Sequence, residues 1–366
     1  DIEYFRKNYK CIVGHTEIYY LFIELGLLKI LKPNQLLSFI VPNAWMSNKY
    51  AKGIREIILS LDLAEIINFN KKIVFEDAQV ETCIFRIENK ERNKVVSVGN
   101  SFDKTFPFDS SFWLKDDNYL INFSEDNVLQ SLLLKINSIK DTLCDYLDIS
   151  NGCKPYQAGY GRNDLGLPLT EANVKSRIYH SNAKEDDSFY LELKGKHIHP
   201  YMIKISNDYL KWGTWLMSPK DAKYYFQSKI LIRQIIGEKF IAAIDNTNSI
   251  ADQTLYICVP FENQSISLEF VLGVINSKLY GFYFRKYYSE EDDLFPKIKV
   301  NELKRLPFQK PTSIQEDSIK SKVVQIINLK NSNPTSDTTA LESEIDRLVY
   351  QLYGLTDEEI KIVEGN

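Results

Sequence analysis

Residues 194–239 carry eight lysines and one arginine against two aspartates and one glutamate. Tyr201, Tyr209, Trp212, Trp215, Tyr224, Tyr225 and Phe226 are interleaved with these cations. The formal net charge of the whole chain is −4, so the basic stretch is a local feature. Cations neutralise phosphates and release counterions, while aromatic and amide side chains can meet bases, so the pattern fits nucleic acid. The plainer outcome is a solvated charged face. Arg233 and Gln234 carry the groups that pair with guanine and adenine edges. Strand alternation sends them to opposite faces, which favours Arg233, whose competing role is a salt bridge to Asp245 or Asp252. Lys196, Lys211, Trp212 and Lys239 complete the candidate DNA contacts of this stretch. Lys297 and Lys299 share one face of an extended segment and suit phosphates. Tyr156 and Arg162 belong to a glycine-rich loop that could enter a groove.

A rival chemistry begins just upstream. Glu192-Leu193-Lys194, preceded by Asp186 and Asp187, has the order of a metal-dependent nuclease site. There carboxylates would hold Mg²⁺ and the lysine would stabilise the attacking water. The pattern is short and common by chance. His197 and His199 are two metal-type ligands without a third, and two such residues are more often a surface turn. Glu17 and Glu24 stand on one face of a helix with no histidine or metal-ligand partner nearby, so a solvated face is expected. Cys11, Cys83, Cys144, Cys153 and Cys258 form no Cys-x-x-Cys pair, which argues against a zinc cluster and for a reducing, cytoplasmic setting. No metal site is expected.

The elements that would position these residues follow from periodicity. An apolar helical pattern (Ile18, Leu21, Phe22, Leu25, Leu28) ends at Lys32-Pro33-Asn34. Strands are expected at residues 36–41, 64–69 and 81–87, with a helix over 48–60 capped by Ser47. A short strand at 95–98 follows a charged break, and residues 101–123 read as irregular and aromatic. Ser124 is expected to cap a helix through 136. Beyond residue 144 short strands and turns dominate, with Ser218-Pro219 opening a short helix. Strands are expected at 230–235, 240–244 and 254–259, then one long helix over 268–287 and two helices near the C-terminus. Such an amphipathic terminal pair more often packs back on its own domain than dimerises.

Length, 366 residues, allows two or three domains, and 44% hydrophobic with 26% charged residues is ordinary globular composition. No apolar run reaches about 18 residues, so no ordinary membrane span is expected.

Gly14-His15-Thr16-Glu17-Ile18-Tyr19-Tyr20-Leu21-Phe22-Ile23-Glu24, Leu31-Lys32-Pro33 and Leu37-Ser38-Phe39-Ile40-Val41-Pro42-Asn43-Ala44-Trp45 follow one another in the chain. Val74-Phe75-Glu76-Asp77-Ala78 and Glu81-Thr82-Cys83-Ile84-Phe85 continue the series. Taken in this order, they resemble the adenine-N6 DNA methyltransferases of the TaqI-like type in restriction–modification proteins. Further on, Leu193-Lys194-Gly195-Lys196-His197-Ile198, Lys229-Ile230-Leu231-Ile232-Arg233-Gln234, Ile241-Ala242-Ala243-Ile244-Asp245 and Val274-Ile275-Asn276-Ser277-Lys278-Leu279 resemble the target-recognition domain of that family, as does Phe295-Pro296-Lys297-Ile298-Lys299.

The resemblance implies an α/β fold. The last three strands of a Rossmann-like methyltransferase sheet would occupy residues 1–90 and a connector with a helix 91–143. A mixed α+β DNA target-recognition domain would occupy 144–310 and a helical tail 311–366. It implies double-stranded DNA as partner and S-adenosylmethionine as methyl donor of a larger, adenine-specific parent, with type II restriction enzymes as its setting. It also implies that Phe75 stacks on a flipped adenine, against which stands a plain core phenylalanine. Neither the family's Asn-Pro-Pro-Tyr loop nor its glycine-rich turn occurs in the sequence. The expectation is therefore an inactive C-terminal portion whose missing N-terminal half would cover an open sheet edge. Trp45 could line the cofactor side or cover the sheet end.

Overall fold

The computed structural model describes residues 2–14, 17–69, 74–75, 80–115, 118–124, 126–163, 165–205, 207–262, 266–288 and 297–365. The chain divides into two compact units, Asp1–Ser138 and Ile139–Asn366. Glu76-Asp77-Ala78, His15-Thr16 and Phe295-Pro296 of the resemblance lie outside the described residues.

The first unit holds one five-stranded sheet. Its strands are β1 (Leu36–Pro42), β2 (Asp62–Asn68), β3 (Thr82–Glu88), β4 (Val95–Ser101) and β5 (Lys104–Asp109), in the order β1-β3-β2-β4-β5. All neighbours are antiparallel except β2 and β4. The three expected strands are therefore joined by a hairpin, and 104–109 is strand where irregular chain was expected. Pro107 disguised it, since proline lacks a ladder donor; β5 lies at the sheet edge, where that is tolerated. The opposite edge is β1, whose outer side has no strand partner among the described residues and which exposes Leu36 and Ile40.

Helices α1 (Ile2–Asn8), α2 (Ile18–Leu25), α3 (Lys52–Leu59) and α4 (Asn127–Asn137) complete this unit. Ile54 and Ile58 of α3 share a core with Ile66, Phe85, Ile87, Val96 and Val98. Two 3-10 turns precede α3, and Asn48, not Ser47, caps the second by accepting from the Tyr50 N–H at 2.9 Å. Arg55, fully buried, donates to the Trp45 and Asn48 carbonyls at 2.6 and 2.8 Å and ties those turns to α3. Asp126 caps α4, because its carboxylate accepts from the Val128 and Leu129 N–H groups, and Ser124 only supports Asp126.

Glu24 corrects the expected solvated face. It is buried, and its two oxygens accept from the Lys10 and Cys11 backbone N–H groups, each at 2.8 Å. A carboxylate that bonds two backbone donors can replace its lost hydration.

The second unit opens with the short α5 (Leu143–Tyr146) and β6 (Leu147–Asn151). Then follow α6 (Glu171–Ser176), β7 (His180–Ser181), β8 (Phe189–Leu193), β9 (Ile198–His199), β10 (Met202–Ile203) and β11 (Tyr209–Lys211). Strands β12 (Lys229–Arg233), β13 (Ala242–Asp245), β14 (Ile250–Ala251) and β15 (Leu255–Pro260) complete its sheets. An antiparallel sheet β13-β12-β15-β6 and a mixed sheet β14-β8-β11-β7 share a core of Leu193, Ile198, Leu210, Leu231, Ile257 and Tyr225. Ser218-Pro219 does not start a helix: Ser218 bridges Lys154, and a 3-10 turn begins only at Ala222.

The expected long helix is two helices, α7 (Leu268–Ile275) and α8 (Lys278–Tyr287). Asn276 breaks it for a reason. Its side chain accepts from the Ala242 N–H and donates to the Ala242 carbonyl, both at 3.0 Å, and so stands in for a strand on the outer edge of β13. Ser277 then caps α8. Gly281 sits where a Cβ would fall 2.2 Å from the Glu238 carbonyl oxygen.

The short α9 (Val300–Lys304) leads to α10 (Ser313–Ser332), α11 (Thr339–Leu352) and α12 (Asp357–Glu364). Ile319 and Val323 of α10 and Ile345 of α11 close over Gly273 of α7, so the tail packs back on its own unit, as expected. No helix is long and apolar enough to cross a membrane among the described residues.

Candidate nucleic-acid interface

Strand β12 is built to hold its last residue in place. Lys229, at its start, is fully buried with Asp245 of β13, Nζ to Oδ2 at 2.7 Å. The ammonium also donates to the Tyr225 and Thr247 carbonyls at 2.8 Å, and Asp245 accepts from Thr247 and Ser249. Burial draws the Lys229 pKa down and Asp245 only partly restores it. At the other end, Ile232 and Gln234 are buried, Arg233 is half-buried and Ile235 is exposed. Arg233 and Ile235 therefore share the outward face, and Gln234 turns inward, as alternation requires.

Neither expected acid pairs with Arg233: Asp245 is taken by Lys229, and Asp252 accepts from Thr254. The Arg233 Nε is buried with no hydrogen-bond partner among the described residues. Such an orphan costs roughly 1–3 kcal/mol.

Ile235 bridges Lys297, and the Gln234 carbonyl accepts from Ile298 N–H at 2.8 Å, which lays exposed Lys297 beside this face. Lys299 follows, exposed, with its ammonium 3.0 Å from Glu302. On the other flank the β9–β10 hairpin packs against β12 and β13. Its turn is Pro200-Tyr201, with Tyr201 at φ 61. The Tyr201 N–H donates to the Ala242 carbonyl at 3.0 Å, and Ala242 is the register partner of Ile232, next to Arg233. This places His199 and exposed Lys204 in the field of Arg233. Burial, then the Arg233 and Lys204 cations, hold the His199 imidazole below its usual pKa. Sequence reasoning missed His199 and Lys204 as members of this face, because a two-residue hairpin leaves no periodic signal.

The other candidates divide. Lys196 and Arg162 are exposed. Lys211 lies over the Trp215 ring at 5.9 Å. Trp212 is held in an aromatic cluster with Tyr190, Tyr225 and Phe226, and its indole N–H donates to the Pro219 carbonyl at 2.9 Å. Tyr156 stacks on Tyr179, bonds His180 Nδ1 at 2.7 Å and accepts from the Tyr179 N–H. Lys239 reaches Asp346 of α11 at 3.1 Å. The polar groups of these last three are occupied within the fold, so they shape the domain rather than meet a ligand.

Glu192 is part of an internal ion-pair network. It is 1% exposed, with Lys194 at 2.8 Å and His180 Nε2 at 3.0 Å. Lys194 is shared with Asp208 at 2.9 Å. Burial raises the Glu192 pKa, but His180 and Lys194 outweigh it and leave the carboxyl below its usual range. Its charge is neutralised inside the protein by these partners. No cluster of His, Cys, Asp and Glu able to hold a metal occurs among the described residues. His197 Nδ1 instead accepts from the Lys194 N–H at 3.1 Å. Burial pushes the Cys83 and Cys153 thiols up to about 12, which leaves them unreactive.

In the first unit, Phe75 is 44% exposed. Trp45 covers the sheet interior: it is fully buried and packs edge-on against Phe85, with its N–H on Cys83 Sγ at 3.1 Å.

Residues 190–308 match the TaqI-like C-terminal specificity domain family, and residues 1–75 match the Eco57I restriction-modification methylase family. A Methanocaldococcus jannaschii protein assigned as a type II restriction enzyme and methyltransferase is 24% identical over 341 residues, covering 89% of this chain and 28% of the relative. Among solved structures, the Type IIL restriction-modification enzyme MmeI in complex with DNA aligns with a TM-score of 0.55 at 12% identity. That alignment covers 96% of this chain and 54% of MmeI, and at such identity the likeness is one of fold. The chain thus spans less than two thirds of either relative.

Proposed function

Because the chain joins a restriction–modification methylase segment to a TaqI-like specificity domain, we propose that it is the DNA-recognition portion of an adenine-N6 methyltransferase in a restriction–modification protein. The whole protein would transfer a methyl group from S-adenosylmethionine to adenine N6 in duplex DNA, in the cytoplasm. The observation that carries this reading is the outward face of β12: Arg233 with an orphaned Nε, exposed Ile235, Lys297 and Lys299. Arginine is suited to a guanine edge, and the lysines to phosphates. Phe75 is proposed as the stacking surface for the flipped base. Strands β1, β3 and β2 are proposed as the end of a Rossmann-like sheet, and residues 144–310 as the recognition domain.

The residues present do not fit the methyl donor. A nucleotide cradle needs glycines whose Cβ positions stand open to the ligand. In the first unit an added Cβ would clash with Tyr50 at Gly14 and Lys104 at Gly99 and press on Leu37 at Gly26, while at Gly53 it would make only ordinary contact with Lys10. No step is therefore assigned to this chain, which is proposed to be catalytically inactive alone.

The test is fluorescence anisotropy with duplex DNA over a range of salt. Arg233→Ala should weaken binding about 10-fold or more, while Lys297→Ala should reduce the salt slope by about one ion for every DNA sequence. Equal affinity of both variants and the unaltered chain would refute the reading.

A further inference from the structure

We propose that His199 is a DNA contact that takes up a proton when a backbone phosphodiester docks between it and Arg233. The proposal rests on the DNA reading above and adds a residue and a proton to it.

The site is built before any ligand arrives. The Pro200-Tyr201 turn carries a non-glycine residue at φ 61, a conformation that persists only where packing enforces it. Packing does enforce it, since the Tyr201 ring is buried and its N–H holds the Ala242 carbonyl. Two residues earlier, His199 is fixed opposite Met202. Among the described residues, the charges that act on its imidazole are those of Arg233 from β12 and Lys204 after β10. The acid of β13, Asp245, is spent on Lys229 at the far end of β12. The half-buried Arg233 and the exposed Lys204 concentrate positive charge beside this imidazole, which suits an anion.

The proton follows from the charges. In the free chain burial, then the two cations, lower the imidazole pKa and favour its neutral form. An entering phosphodiester brings one negative charge, which cancels part of that field and accepts a hydrogen bond from the ring. The second ring nitrogen then takes a proton from solvent, raising the His199 pKa in the complex. Affinity is thus highest below the free-state pKa and falls as pH rises through the bound-state pKa, by at most ~10-fold per pH unit.

The experiment measures affinity of the full chain for a mixed-sequence DNA duplex at fixed ionic strength from pH 5.5 to 8 (about the range in which histidine titrates). It includes His199→Gln and His199→Lys. The expected result is a pH slope in the unaltered chain that is absent in H199Q. H199K, with a fixed charge, should keep the low-pH affinity throughout. A slope that survives in H199Q, or a flat profile in the unaltered chain, overturns the proposal while leaving the DNA reading standing. No binding at any pH overturns both. Inorganic phosphate titrated alone should not saturate; saturation at the affinity of the duplex would overturn the assignment to DNA.

Discussion

Replacing Lys229 with methionine removes the cation from a fully enclosed ion pair while keeping all but the last atom of the side chain. Its ammonium holds Asp245 at 2.7 Å and the Tyr225 and Thr247 carbonyls at 2.8 Å. Removing one partner of a buried pair costs about 3–5 kcal/mol, because the other charge remains without compensation. The two carbonyls would lose a donor as well, at roughly 1–3 kcal/mol each. These losses share one cavity and are not additive, so about 5 kcal/mol is expected in all. For a unit of this size that is a fall in Tm of roughly 10–20 °C, read by calorimetry or circular dichroism. Replacing both residues, Lys229→Met with Asp245→Leu, should recover much of the loss. A loss below about 1 kcal/mol would refute this account of β12.

Two further outcomes follow from the same geometry. Glu192, held below the usual carboxylate range by His180 and Lys194, contributes stability that is present above its unfolded pKa and lost as pH falls through the folded one. Glu192→Gln should lower stability by roughly 3 kcal/mol near neutrality and flatten the acid limb, measured by urea unfolding across pH. Mg²⁺-dependent DNA cleavage that disappeared in this variant would revive the nuclease reading. Calorimetry of the chain with S-adenosylmethionine should show no binding heat, and a micromolar dissociation constant would show that a cradle has been overlooked.

What the sequence revealed depended on whether a residue's neighbours were local. Strands β12 and β15 were legible, since Ile230-Leu231-Ile232 and Leu255-Tyr256-Ile257 are continuous apolar runs buried on both sides. Asn276 was hidden inside an apolar helical pattern because its partner, Ala242, lies 34 residues away. Glu24 was misread for the same reason, its donors at Lys10 and Cys11 belonging to another turn of chain. For the candidate interface, composition located the basic stretch but could not sort it. Lys239, Trp212 and Tyr156 have the right chemistry, yet distant partners occupy their polar groups. Arg233 stands out only once Asp245 is seen to be taken by Lys229.

The two sheets treat their rims differently, and this bears on how the chain behaves at high concentration. The rim of β13 is sealed at Ala242, where the Asn276 amide occupies both backbone groups. On β5, Pro107 offers no donor to an incoming strand. Among the described residues β1 has no such guard, and it shows Leu36 and Ile40 to solvent. Intermolecular strand exchange and precipitation should therefore start at β1. A lysine in place of Ile40 is accordingly the substitution of choice for keeping concentrated samples in solution.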